Sequence, residues 1–167
     1  MTKSNIVLIG MPGSGKSTVG IILAKQITKR FIDTDILIQN MAGKSLQDIV
    51  DNEGHMALRE IEEKVLLSVR NKNHVIATGG SAAYSEPAML HLKQKGYVVF
   101  LQTSLDELKS RIHNYETRGL AKRPEQSFQN LFDERESLYK KYADITVESS
   151  HLTQDQVCDE IILKLQK

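Results

Sequence analysis

The sequence holds one cysteine, Cys158, so it can build neither an internal disulfide framework nor a cysteine-cluster metal site; the residue reads as an ordinary helix position. Charge of one sign is not in excess either, since 22 Lys and Arg stand against 21 Asp and Glu, a formal net charge of +1. That balance gives no broad surface for nucleic acid or an anionic membrane, though it is compatible with a local basic site. Long hydrophobic runs are missing: the apolar stretch Ile6–Ile9 falls far short of the roughly 20 residues a bilayer span needs. The segment from Met1 to Asn5 is too short for the charged leader of a secretory signal, and a cytoplasmic location is expected. There is no repeat, low-complexity tract or linker. The 167 residues therefore read as one domain, 1–167, long enough to bury a core without covalent staples.

What the chain does have is an alternation of short apolar runs with longer amphipathic stretches. Ile6–Ile9, Phe31–Ile32, His74–Thr78, Tyr97–Leu101 and Ile145–Val147 read as five strands, the first a run of the kind buried on both sheet faces. Helical spacing fills the intervals, beginning with Thr18 to Ile27. Capping-box pairs mark three helix starts: Ser45 with Asp48, Ser104 with Glu107, and Thr153 with Gln156. Repeated strand–helix alternation predicts a three-layer α/β/α fold around a central five-stranded parallel sheet. The polar stretch Asn114 to Gln126, with Gly119 and Pro124, lacks an apolar period and reads as a mobile lid over about 112–126.

The run Gly10-Met11-Pro12-Gly13-Ser14-Gly15-Lys16-Ser17-Thr18 fits G-x-x-x-x-G-K-[ST] between a strand and a helix. Its glycines let the backbone take angles closed to other residues, so that successive N–H groups face one anion. The following helix adds positive potential at its N-terminus. Lys16 would reach the β- and γ-phosphates, and the Ser17 hydroxyl would ligate Mg²⁺. A phosphate-handling enzyme follows, with ATP as co-substrate.

Three further features are less decisive alone. Asp33 and Asp35 follow the second strand; in extended chain they share a face, one suited to Mg²⁺ and the other to a hydroxyl proton. Equally, Asp35 caps the next helix and Asp33 is solvated. Arg135 lies in the apolar stripe formed by Phe128, Leu131, Phe132, Leu138, Tyr139 and Tyr142, so it needs an anionic partner, either a side chain or a ligand. Arg59 sits on the flank of its helix, where a surface ion pair with Glu62 or Glu63 accounts for it. Gly79-Gly80 after the third strand either opens backbone N–H groups to a ligand or makes a plain turn.

As an ordered set these residues resemble the shikimate kinase family over roughly Asn5 to Lys167. The set comprises residues 10–18, Asp33-Thr34-Asp35, Arg59 with Glu62-Glu63-Lys64-Val65, Ala77-Thr78-Gly79-Gly80, and Glu134-Arg135 with Leu138-Tyr139 leading to Ala143-Asp144. The resemblance implies a nucleoside-monophosphate-kinase-like P-loop fold and transfer of phosphate from ATP to a shikimate hydroxyl, giving shikimate 3-phosphate and ADP in aromatic amino acid biosynthesis. It implies a substrate segment at about 33–60. It assigns Gly13, Ser14, Gly15, Lys16, Ser17, Thr18, Arg111 and Arg118 to ATP, and Ser17 and Asp33 to Mg²⁺. Asp35, Arg59, Gly79, Gly80 and Arg135 fall to shikimate, with Lys16, Asp35 and Arg118 catalytic. Two departures stand out: Ser81 where the family usually has a third glycine, and Arg118-Gly119-Leu120 where Arg-Pro-Leu is commoner, with Arg123-Pro124 as a second register for the lid arginine. They leave open another hydroxy acid such as gluconate. A regulatory protein without catalysis is the other alternative, against which Lys16, Ser17, Asp33 and Asp35 all stand. A monomer without nucleic-acid or membrane partners is expected.

Overall fold

Asn5–Ile9, all buried, forms β1 at the centre of an all-parallel sheet of order β2-β3-β1-β4-β5. The computed structural model describes residues 3–112 and 119–166. Along the chain follow α1 (Lys16–Gln26), β2 (Arg30–Asp33), α2 (Thr34–Ala42), α3 (Leu46–Glu53), α4 (His55–Ser68) and β3 (His74–Ala77). A 3₁₀ turn (Ala82–Tyr84) leads to α5 (Glu86–Lys95), β4 (Gly96–Gln102), α6 (Leu105–Arg111), α7 (Phe128–Tyr142), β5 (Ile145–Glu148) and α8 (Gln154–Leu165). All five predicted strands are present.

Successive side chains of a strand point to opposite faces, and the core divides accordingly. Val7 and Ile9 pack with Ile76, Val98 and Phe100 beneath α4, α5 and α7. Ile6 and Leu8 pack with Val75, Val99 and Leu101 against α1 and α8, where Cys158 is buried. Each fully buried aliphatic side chain contributes about 1.5–3 kcal/mol, so the sheet and its two helical layers form one rigid frame. A smaller cluster of Ile38, Ile49, Leu58, Val65 and Ala121 holds α2, α3 and α4 together at one end of the sheet.

Helix starts follow local chemistry. Complete capping boxes stand at Ser45–Asp48 and Thr153–Gln156. At Ser104 only half forms: the Ser104 hydroxyl accepts from the Glu107 N–H, while the Glu107 carboxylate pairs with Arg111 at 2.7 Å instead. Helix α1 begins at Lys16, two positions ahead of the expected Thr18, because Gly15 takes the left-handed conformation (φ 90°) at its N-cap. Among the described residues no helix is long and apolar enough to cross a membrane.

Gly20 faces Phe31 so closely that an added Cβ would lie 2.5 Å from the ring and 3.4 Å from Leu8 Cδ1. In a helix interior alanine outranks glycine by about 1 kcal/mol, but overpacking costs about 1–3 kcal/mol. Packing wins here, and Gly20→Ala should lower the thermal unfolding midpoint by about 2–6 °C.

Candidate active site

The connection from β1 runs to β2 on one side of the sheet while that from β4 runs to β5 on the other, so the loop after β1 opens into the crevice at this switch point. Residues 10–15 wrap that crevice with Gly10, Gly13 and Gly15 at φ 149°, 84° and 90°. The Lys16 ammonium donates to the Gly10 and Met11 carbonyls, each at 2.8 Å. Ser14 is buried, and its Oγ has no hydrogen-bond partner. An orphaned hydroxyl beside backbone amides and a lysine fits an anion such as a nucleotide phosphate.

A cavity of about 340 Å³ runs from this loop across the sheet edge. Lys16, Ser17, Asp35, Gly79, Gly80 and Arg135 line it, joined by Gly13, Gly15, Thr18 and Arg111 at the loop and by the apolar Ile38, Leu46, Leu58 and Leu120. The Ser17 hydroxyl donates to Asp33 Oδ2 at 2.6 Å. A hydroxyl and a carboxylate oxygen beside a phosphate cradle suit Mg²⁺, which takes one or two protein oxygens and completes its shell with water and phosphate. Among the described residues no group of three or more His, Cys, Asp or Glu side chains is placed to hold a metal ion.

The two aspartates do not share a face as extended chain would require. Helix α2 begins at Thr34, so Asp33 is its N-cap, accepting the Asp35 N–H at 2.9 Å, and Asp35 already stands on the helix. The capping role thus belongs to Asp33 rather than Asp35. The separation is productive: Asp33 faces Ser17, while Asp35 turns toward Gly79, where a Cβ would come within 2.8 Å of Asp35 Oδ1. Gly79 and Gly80 leave room that side chains would fill, since a Cβ on Gly80 would lie 2.7 Å from Arg135 Nη1 and 2.8 Å from Pro12 Cδ. Tyr139 fixes this segment by donating its O–H to the Gly80 carbonyl at 2.5 Å.

Arg135 is 1% exposed. Its Nη2 donates to the Ala121 carbonyl at 2.9 Å, its Nε has no partner, and it forms no ion pair with a described carboxylate. The buried Glu62 carboxyl feels its charge but forms no ion pair with it, so Arg135 keeps donor capacity for a bound anion. Arg59 converges on the same place: its Nη2 is 3.4 Å from Ala121 O, its guanidinium stacks at 3.5 Å over the Tyr84 ring, and its Nε is also unpartnered. Burial pulls the Arg59 guanidinium below its ordinary value, and the Arg135 charge adds to that against the pull of Tyr84. Two adjacent, half-satisfied cations favour one shared anion.

A sequence model described as shikimate kinase matches residues 12–166. The chain belongs to the shikimate kinase family. A shikimate kinase of Sulfurihydrogenibium sp. is 36% identical over 164 residues, covering 98% of both chains. One of Rippkaea orientalis is 39% identical over 162 residues, covering 95% of this chain and 86% of that one. Among solved structures, a shikimate kinase from Acinetobacter baumannii in complex with shikimate aligns with a TM-score of 0.88 at 32% identity, covering 98% of this chain and 93% of the other. A Candida albicans thymidylate kinase (TM-score 0.58, 14% identity, 98% of this chain and 91% of that one) shares the fold alone.

Within this shikimate kinase fold, several sequence expectations change. Arg59 does not form the surface pair with Glu62 or Glu63; Tyr84, brought up by the 3₁₀ turn, takes its guanidinium instead, and Arg59 lines a second cavity rather than the main one. Arg111 lines the mouth near Gly13, held by Glu107. Arg118 lies outside the described residues. Arg123 turns away to pair with Glu134 at 3.0 Å and is well exposed. Glu62, expected at the surface as a partner of Arg59, is 3% exposed and lines the main cavity. The spacing Leu58, Glu62, Val65, Leu66, Val69, all buried, carries the signal that identifies it.

Proposed function

We propose that this chain transfers the γ-phosphoryl group of ATP to a hydroxyl of shikimate, giving shikimate 3-phosphate and ADP. One observation carries this: Asp35 lies in the same cavity as the phosphate loop and Arg135, a buried cation with no described carboxylate partner. The glycine-rich loop, Lys16 and Thr18 hold the ATP phosphates, with Arg111 beside the adenine. Ser17 and Asp33 would hold Mg²⁺, which when bound neutralises charge on the phosphates. Arg135, and Arg59 once turned from Tyr84, grip the shikimate carboxylate. That grip brings the hydroxyl to Asp35. As the hydroxyl oxygen bonds to the γ-phosphorus and the bridging P–O bond to ADP breaks, Asp35 takes the hydroxyl proton. Gly79 and Gly80 form the wall, and Arg118 is assigned the transferred phosphate on the strength of the resemblance. We take the chain to act as a cytoplasmic monomer.

Purified protein with ATP and Mg²⁺ should phosphorylate shikimate with kcat/KM at least about 10² above any other hydroxy acid in a panel that includes gluconate. Equal or greater turnover of gluconate would defeat the substrate assignment.

A further inference from the structure

Behind the main cavity lies a second one of about 250 Å³, lined by Met56, Arg59, Leu66, Tyr84 and others between α4 and the 3₁₀ turn. The two cavities have two lining residues in common, Glu62 and Ser81. Both are buried, and the Ser81 hydroxyl donates a hydrogen bond to Glu62 Oε2. Glu62 Oε1 has no hydrogen-bond partner and packs against Gly79, so tightly that a Cβ there would collide with it. The partition thus consists of one carboxyl held by one hydroxyl, with open volume on either side.

We propose that Ser81 is a positioning residue for the reaction, its hydroxyl latching the Glu62 carboxyl into the partition so that it neither swings into the substrate cavity nor retreats into the space behind. The latch arises from this chain's own serine, since glycine at this position has no hydroxyl to offer. A hydrogen bond to an ionised acceptor is roughly twice as strong as one to a neutral group, so the latch holds best when Glu62 is charged.

Several groups face that carboxyl: Lys16 from α1, Asp35 from α2, and Arg135 and Tyr139 from α7, with Arg59 and Glu63 of its own helix and Tyr84 of the turn around the second cavity. Burial pushes Glu62 up to about 7; Ser81, Arg135 and Lys16 pull it down while Asp35 adds to the rise. Removing the Ser81 donor removes a bond to the charged form, so the carboxyl titrates at still higher pH. Protonation then slackens the latch.

The proposal rests on shikimate being the substrate, and its test separates the two. In the full-length protein, kcat/KM for shikimate should fall below a limb near pH 7. In Ser81→Ala that limb should move up by about half to one pH unit, with KM for ATP unchanged. In Glu62→Gln it should vanish. Carbon-13 NMR titration of the Glu62 carboxyl, which needs no substrate, should show the same upward move in Ser81→Ala. Superimposable wild-type and Ser81→Ala titrations overturn the proposal, and a lowered melting temperature with an unmoved pH profile does so too. Wild-type protein that leaves shikimate untouched defeats the substrate reading, while the NMR titration still decides the latch.

Discussion

Asparagine in place of Asp35 should cut turnover of shikimate by about 10²–10⁴-fold, the range general bases contribute, while ATP affinity stays within about twofold. Asparagine keeps the shape and hydrogen-bonding size of the side chain but cannot accept a proton to become neutral. Asp35 is placed for this by its neighbour: the Asp33 carboxylate caps α2 through the Asp35 N–H, which fixes the first turn and turns Asp35 into the cavity. The substitution leaves the backbone bond from Asp35 to Asp33 in place, and with it the contact of Asp33 with Ser17, so nucleotide binding measured by calorimetry should survive. Loss of ATP binding together with turnover would mean that the substitution damages the loop through Asp33 and Ser17, and Asp35 would then have no demonstrated part in proton transfer.

The second large effect separates binding from stability. Arg135→Met should raise KM for shikimate by about 30-fold or more, since truncating one side of a buried charge pair costs about 2–5 kcal/mol. It should leave folding stability equal or higher. A buried guanidinium is expensive to desolvate, and a methionine of similar length fills the same space beside Tyr139 without that cost. The pairing of Arg135 with Ala121 O replaces only part of its lost hydration, because Nε remains unpartnered. Urea denaturation and steady-state kinetics on the same preparation give the answer. A destabilised variant with unchanged KM would make Arg135 a structural residue.

These two residues also illustrate what the sequence makes legible. Arg135 is visible because helical periodicity is a global signal: a charge among Leu131, Leu138 and Tyr139 stands out wherever the helix packs. Gly10–Thr18 is visible because the phosphate loop is local and its flanking strand and helix can be recognised in the same window. The strands follow from β1, whose five residues are all buried. By contrast, the roles of Asp33 and Asp35 turn on a helix beginning one residue after a strand ends, and a change of period from two to 3.6 reverses which side chains share a face. Tyr84 was not legible at all: it reaches Arg59 only because the 3₁₀ turn after Gly79-Gly80 brings it under α4, a contact between residues 25 positions apart with no local pattern. Glu62 lies between these extremes. Its position in the buried stripe was readable, but a nearby arginine offered a simpler partner.

Cys158 brings a practical consequence. It is fully buried against α1, and burial, with Asp155 and Asp159 nearby, pushes its thiol up to about 11. Thiolate, the reactive form, is thus scarce at neutral pH and shielded where it occurs. Maleimide and disulfide reagents meet a silent background in the native enzyme. A cysteine introduced at an exposed position would carry a fluorophore or spin label alone, without first stripping the natural thiol from the sequence.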